Sequence, residues 1–257
     1  MTKTALITGG AIRIGQALAT TCASLGYRLV IHYNASEQSA QAFSESLKKQ
    51  QIEHYLLRCD LSNAAEVAQC FDRIPETFKP VDLLINSAAI FPEQDSLSEL
   101  NNNWSAVMAI NSYAPIELMR QFSEQQFDKR VNSVETDTKS HSDKQIINII
   151  DARIRHNQKD RLVYRWSKSL LQQATKDLAD TDSEKIAKLA EGIEFENTEQ
   201  YIEKLTVLKE SYFPKSDAVT SEITETDETI EVSEEKSAEK IDESMQHYTS
   251  AIRRYNS

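Results

Sequence analysis

Tyr164 and Lys168, in Tyr164-Arg165-Trp166-Ser167-Lys168, stand four residues apart at the start of a predicted helix and so share one of its faces. Reduction of a C=O or C=N bond by hydride builds charge on the heteroatom, so a proton donor must stand beside it. Tyr164 is suited to be that donor, and Lys168 favours its ionised form by charge and can hold a nicotinamide ribose. Such pairs occur by chance in many helices; specificity comes from position, after a predicted strand and 13 residues beyond Asp151. The partner feature is Thr8-Gly9-Gly10-Ala11-Ile12-Arg13-Ile14-Gly15, between an apolar strand and a helix. It reads as a phosphate-cradling turn: Gly9 lets the backbone bend, and Gly15 lets helix and cofactor approach the strand.

The second predicted strand ends in His32-Tyr33-Asn34-Ala35-Ser36, with no carboxylate to repel a ribose 2′-phosphate. With Arg13 as a nearby cation and Ser36 as a hydroxyl donor, the expected cofactor is NADPH. Asp60, in Cys59-Asp60-Leu61, is placed either to accept from the adenine amino group or to cap a helix over 63–74, and both roles are compatible. Asn86 with Ala88-Ala89 ends the fourth strand, where backbone meets the cofactor. Gly9, Arg13, Ile14, Gly15, His32, Tyr33, Asn34, Ser36, Asp60, Leu61, Asn86 and Ala88 therefore form the expected cofactor-binding set.

These residues need a frame. Strands at 4–7, 28–33, 54–59, 81–85 and 145–150 alternate with helices at 15–25, 37–50, 63–74, 96–109, 114–127 and 164–178, with Ile14, Leu18 and Cys22 as the first helix's inner stripe. This alternation predicts an α/β, Rossmann-type doubly wound parallel sheet. The polar stretch 128–144 reads as a surface insertion. Beyond residue 180 the character changes. Residues 1–179 carry 20 basic and 20 acidic side chains, so the whole net charge of −11 falls in residues 180–257. Ser183 to Glu191 looks helical; Asn197 begins a second helix that ends before Pro214; 215–243 has the composition of a disordered spacer; Met245, Tyr248, Ile252 and Tyr255 stripe a last helix.

Composition excludes some classes. The acidity argues against nucleic acid, the five histidines lack metal-ligand spacing, and no apolar run suits a bilayer or an export signal. Cys22, Cys59 and Cys70 form no CxxC pair and read as reduced thiols in a cytoplasmic protein.

Residues 1 to about 178 resemble a short-chain dehydrogenase/reductase, and within it the pteridine and dihydromonapterin reductases. The likeness rests on Arg13 in the glycine turn, His32-Tyr33, Asn111-Ser112-Tyr113-Ala114-Pro115, Phe91, and Ile149-Ile150-Asp151-Ala152. It implies that Asp151 and Tyr164 share proton delivery, Lys168 positions the cofactor, Asn111 helps hold a relay water, and Phe91 stacks a pterin-like substrate. Asn86-Ser87 departs from the family's Asn-Asn pair. The family also implies a sixth strand ending in a Pro-Gly turn and a seventh strand. No apolar β-branched run and no Pro-Gly follows residue 178, so the sheet is expected to be C-terminally incomplete. Family members commonly form homo-oligomers.

The remainder, Leu189-Ala190-Glu191-Gly192-Ile193-Glu194-Phe195, Tyr201 to Phe213 and Tyr248 to Arg254, resembles the prohead core scaffolding proteins of contractile-tailed phages. That resemblance implies a terminal helix docking on a capsid-shell partner. Two parts are expected, a reductase domain over 1–178 and an acidic scaffold-like tail over 179–257. The rival expectation is an assembly protein whose reductase-like part is inactive.

Overall fold

The computed structural model describes residues 2–125, 144–151, 161–181 and 188–193, with side chains as far as Leu178. Six strands, β1 (Thr4–Thr8), β2 (Arg28–Tyr33), β3 (His54–Arg58), β4 (Leu83–Asn86), β5 (Gln145–Ile149) and β6 (Lys188–Ile193), form one parallel sheet in the order β3-β2-β1-β4-β5-β6. The connecting helices are α1 (Arg13–Ser24), α2 (Glu37–Lys49), α3 (Ala64–Ala68), α4 (Leu100–Met108), α5 (Ala114–Glu124) and α6 (Leu162–Thr181). A π turn over Ala109–Tyr113 joins α4 to α5.

Central strands covered on both faces lose the polar alternation of half-exposed ones, which is why Thr4–Thr8 is buried at every position. Leu6 pairs with Val30 on one side and Leu84 on the other. These three, with Leu57 and Ile146, meet Leu118, Phe122 and Leu171 from α5 and α6 in the main core. The chain runs outward from β1 through β2 to β3, then returns to β4 on β1's opposite side. At this reversal the connections after β1 and β4 diverge and leave a crevice at the carboxyl ends of the strands.

Three expectations are corrected. The inner stripe of α1 is Gly15, Leu18, Ala19 and Cys22, and Ile14 is 42% exposed at the turn. Helix 63–74 is regular only over Ala64–Ala68, capped by Asn63, whose side chain accepts from the N–H groups of Ala65 (3.0 Å) and Glu66 (3.4 Å); Asp60 is not the cap. The third concerns the sheet edge, because Lys188–Ile193, expected as the end of a helix, is a sixth strand parallel to β5. A register shift sets Glu191 and Gly192 against the single residue Asn148. The bare edge of β5 would leave backbone N–H and C=O groups unpaired, and parallel pairing after α6 satisfies them with the usual crossover.

No seventh strand appears among the described residues. The chain divides after Glu196. The predicted helices over 197–213 and 245–255, the acidic spacer, and nearly all of the 128–144 insertion lie outside the described residues. Among the described residues no helix is long and apolar enough to cross a membrane, and no His/Cys/Asp/Glu cluster could hold a metal.

Candidate active site

The glycine turn is built by steric necessity. Gly9 has φ +63°, and a Cβ there would stand 3.1 Å from Ala88 Cα. A Cβ on Gly15 would fall 2.2 Å from the Gly9 carbonyl oxygen, so the first turn of α1 lies directly against the loop that ends β1. Ile12 enters α1 in an extended conformation, with no capping side chain and no acidic residue in the first turn. Exposed helix N–H groups beside a glycine cradle fit an anionic pyrophosphate. Arg13 is exposed on this turn with φ +49°, a conformation that favours glycine.

Two buried side chains hold the turn in place. Thr8 Oγ1 accepts the N–H groups of Ser87 and Ala88, both at 3.0 Å, and tethers β1 to the loop after β4. His32 lies beneath the turn: its Nδ1 accepts the Gly9 N–H at 3.0 Å, and its Nε2 donates to the Cys59 carbonyl at 2.9 Å. These partners select the neutral Nε2–H tautomer. His32 therefore supports the cradle from below, and neither ring nitrogen is left for a ligand.

The other expected cofactor residues separate by burial. Tyr33 and Leu61 are buried, whereas Asn34 is exposed and Ser36, half-buried, opens α2 without a side-chain cap bond. Asp60 accepts from the Ser62 N–H (2.9 Å) and Oγ–H (2.7 Å), which draw its carboxyl below the ordinary range. Asn86 is buried and donates to Asn148 Oδ1 at 2.8 Å, and Asn148 donates to Thr175 Oγ1 at 2.7 Å. This amide chain pins β4 to β5 and α6. The Asn86 Oδ1 atom is buried without a hydrogen-bond partner among the described residues.

Beside the crevice stand the three groups expected to handle the proton. Tyr164 Oη donates to Asp151 Oδ2 at 3.0 Å, and Tyr164 is buried. Lys168, one turn further along α6, donates from Nζ to the Ile149 carbonyl at 2.9 Å. Burial lowers the Lys168 pKa to about 8, and the nearby charge of Asp151 opposes that shift. Phe91 is 41% exposed; its ring meets Tyr164 edge-on at 4.6 Å, and the Arg161 guanidinium lies 4.5 Å from its centroid. Asn111 reaches the site indirectly. Its Oδ1 accepts the Ile90 N–H and its Nδ2 donates to the Ile90 carbonyl, both at 2.9 Å, fixing the segment that carries Phe91. It lies within the π turn, a helix irregularity common at functional sites.

The residue most plainly missing from the sequence reading is Asp95. Fully buried, its carboxylate accepts the N–H groups of Val163 (3.1 Å) and Tyr164 (2.7 Å), while its backbone carbonyl accepts that of Leu162 (2.9 Å). Asp95 thus caps α6 from a distant loop and sets the height of Tyr164. No local signal marks it, since the cap lies 69 residues upstream of the N–H it serves.

A doubly wound parallel sheet with a glycine cradle at its switch point, and a Tyr/Asp pair with a buried Lys beside it, defines a Rossmann-type α/β protein. The family model for short chain dehydrogenases matches residues 3–187, and the chain belongs to that family. Residues 140–252 match the T4-phage like capsid assembly scaffolding protein family, overlapping the first match over 140–187.

Among relatives, the chain is 28% identical over 111 residues to the 3-oxoacyl-(acyl-carrier-protein) reductase FabG of Staphylococcus aureus (strain N315), covering 43% of this chain and 45% of that one. It is 34% identical over 114 residues to the short chain dehydrogenase/reductase dpmpG of Macrophomina phaseolina (strain MS6), covering 44% and 65%. The chain spans about half the length of the bacterial curated relatives it matches. Among solved structures, it is similar to a blue fluorescent protein from a metagenomic library in complex with NADPH, with TM-score 0.60, 25% identity, and 69% and 68% of the two chains covered. It is also similar to FolM alternative dihydrofolate reductase 1 from Brucella suis in complex with NADP, with TM-score 0.59, 28% identity, and coverage of 72% and 71%.

Proposed function

We propose that the protein is an NADPH-dependent reductase of a pterin-like small molecule bearing a C=N or C=O bond. The observation that carries this reading is the 3.0 Å hydrogen bond from Tyr164 to Asp151, with Lys168 one helical turn away on the same buried face. When bound, NADPH supplies the hydride to the substrate carbon.

The remaining steps belong to this chain. The Gly9–Gly15 turn and the open end of α1 receive the pyrophosphate. The proton passes from Tyr164 Oη to the substrate heteroatom as charge develops there, and Asp151, in contact with the same hydroxyl, shares in its delivery. Lys168 in its charged form favours the phenolate that remains. Phe91, partly exposed and in edge contact with the Tyr164 ring, is the aromatic against which a flat heterocycle would stack. The similarity to FolM supports the pterin-like substrate class.

The reading is tested first by NADPH fluorescence on titration with protein, then by Tyr164→Phe. The substitution is expected to abolish turnover of a dihydropterin while leaving NADPH affinity nearly unchanged. Turnover equal to the parent would remove Tyr164 from the mechanism, and no NADPH binding at high micromolar protein would remove the reading itself.

The scaffolding-family match over 140–252 favours a second reading, an assembly protein whose residues 245–257 dock on a capsid-shell partner. Deleting residues 245–257 should then weaken co-sedimentation with a shell protein, and unaltered co-sedimentation would count against it.

A further inference from the structure

At the carboxyl ends of β2 and β3 lies a cleft of about 360 Å³, lined by Asn34, Arg58, Asp60, Glu66 and Arg73. It holds two cations and two anions, but they are not equivalent. Glu66 is matched by Arg73 at 3.6 Å and also accepts the Asp60 N–H at 3.0 Å. Asp60 is occupied on one oxygen by Ser62. Arg58 has no acidic partner within ion-pair distance among the described residues. It is exposed, it closes β3, and its register partner is Tyr33, so its Cα stands beside the β2 end that precedes Asn34. Arg13, the cation expected from the sequence to serve a 2′-phosphate, is not among the residues lining this cleft.

We infer that Arg58 is the cofactor-selecting residue of this chain, binding the 2′-phosphate of an adenosine ribose in this cleft with the Asn34 side chain as a second donor. The inference rests on the NADPH reading above and extends it to a residue outside the expected set. The chemistry is matched at both ends. An adenine amino group is a donor and suits the Asp60 carboxylate, while a phosphomonoester is a dianion and suits a guanidinium, whose planar donor fork pairs with phosphate oxygens. Arg73, held by Glu66, adds long-range positive potential without leaving its own partner. A ribose without the phosphate gives Arg58 only hydroxyls to bind, so NADH gains little from it.

The experiment is isothermal titration of the full chain and of Arg58→Gln with NADPH, NADH, 2′,5′-ADP and 5′-AMP. Thermal melts confirm that the exposed substitution leaves the fold intact. Loss of one charge-assisted phosphate contact should weaken NADPH and 2′,5′-ADP by about tenfold or more and leave NADH and 5′-AMP within about twofold. Arg58→Lys should recover part of the loss, because it restores charge without the fork. Equal weakening of NADPH and NADH would overturn the inference, since Arg58 would then only shape the fold. So would an unchanged Arg58→Gln in a protein that prefers NADPH; a matching loss in Arg13→Gln would then assign the phosphate to the glycine turn. If neither dinucleotide binds but 2′,5′-ADP does in an Arg58-dependent way, the NADPH reading falls and Arg58 keeps its role. Failure of all four ligands removes both.

Discussion

Truncating Asp95 to alanine tests whether Tyr164, the proposed proton donor, is positioned from outside its own helix. The carboxylate accepts two buried N–H groups, from Val163 at 3.1 Å and Tyr164 at 2.7 Å, and the residue is wholly buried. Leaving a buried donor unsatisfied costs about 1–3 kcal/mol, and losing a negative charge at a helix N-terminus adds about 0.3–1 kcal/mol. Partial recovery of each N–H by water at the loosened helix end brings the expected loss to about 2–4 kcal/mol. Urea unfolding followed by tryptophan fluorescence is a direct assay, because Trp166 is on α6 itself and Trp104 on α4 meets it at 6.4 Å between ring centroids. With a denaturant slope of about 2–3 kcal/mol per molar for a domain of this size, the midpoint should fall by about 1 M. Asp95→Asn keeps one acceptor oxygen and should lose about half as much. In turnover, both variants should lower kcat more than NADPH affinity, since the first turn of α6 carries Tyr164 and not the glycine turn. Stability of Asp95→Ala within about 0.5 kcal/mol of the parent would refute the capping argument.

Other consequences are equally direct. Gly15→Ala places a methyl group 2.2 Å from the Gly9 carbonyl oxygen, so it should cost about 1–3 kcal/mol and abolish measurable NADPH binding, as judged by melts and fluorescence titration. Gly26→Ala meets nothing within 4 Å and should cost only about 1 kcal/mol through its φ of +82°. Lys168 has a pKa of about 8 when folded against 10.5 otherwise, so the unfolded chain keeps its proton to higher pH. The penalty of burying the cation is fully present below pH 8, and stability should rise by about 3 kcal/mol between pH 8 and 10.5. That rise should vanish in Lys168→Met, measured by urea unfolding across the range. Reductase kcat/KM should fall as the pH rises through about 8, where the folded protein loses the charge on Lys168. Phe91→Ala should raise KM for a pterin-like substrate and leave the NADPH dissociation constant unchanged.

Much of the fold was legible because its signals are local. The strands from Thr4 to Ile149 are mostly apolar runs bounded by polar turns; burial on both faces makes the central ones apolar, while the edge strand His54–Arg58 is fully buried only at Leu57. Gly9 and Gly15 were legible because a close approach of backbone to backbone leaves no room for a side chain, and a Cβ at either position would crowd its neighbours in the structure. The strand Lys188–Ile193 was not legible: it contains no β-branched run, and alanine, lysine and glutamate favour a helix when taken alone. What makes it a strand is the row of unpaired groups on β5, a property of the assembled sheet.

The residue types and spacings by themselves determined that a tight glycine turn precedes the first helix and that a phenol and an ammonium group share a face of a later one. Periodicity and steric allowance act over a few residues, and that is the range on which those features depend. Which polar side chains face the crevice was decided only by the tertiary structure. It turned His32 beneath the glycine turn, drew Asn86 into an amide chain with Asn148, brought Asp95 under Tyr164, and set Arg58 beside Asn34 in a cleft. Each of these outcomes depends on a partner supplied by another strand or loop. Buried polar groups take the nearest available donor or acceptor in space, and the chain's order does not record that distance.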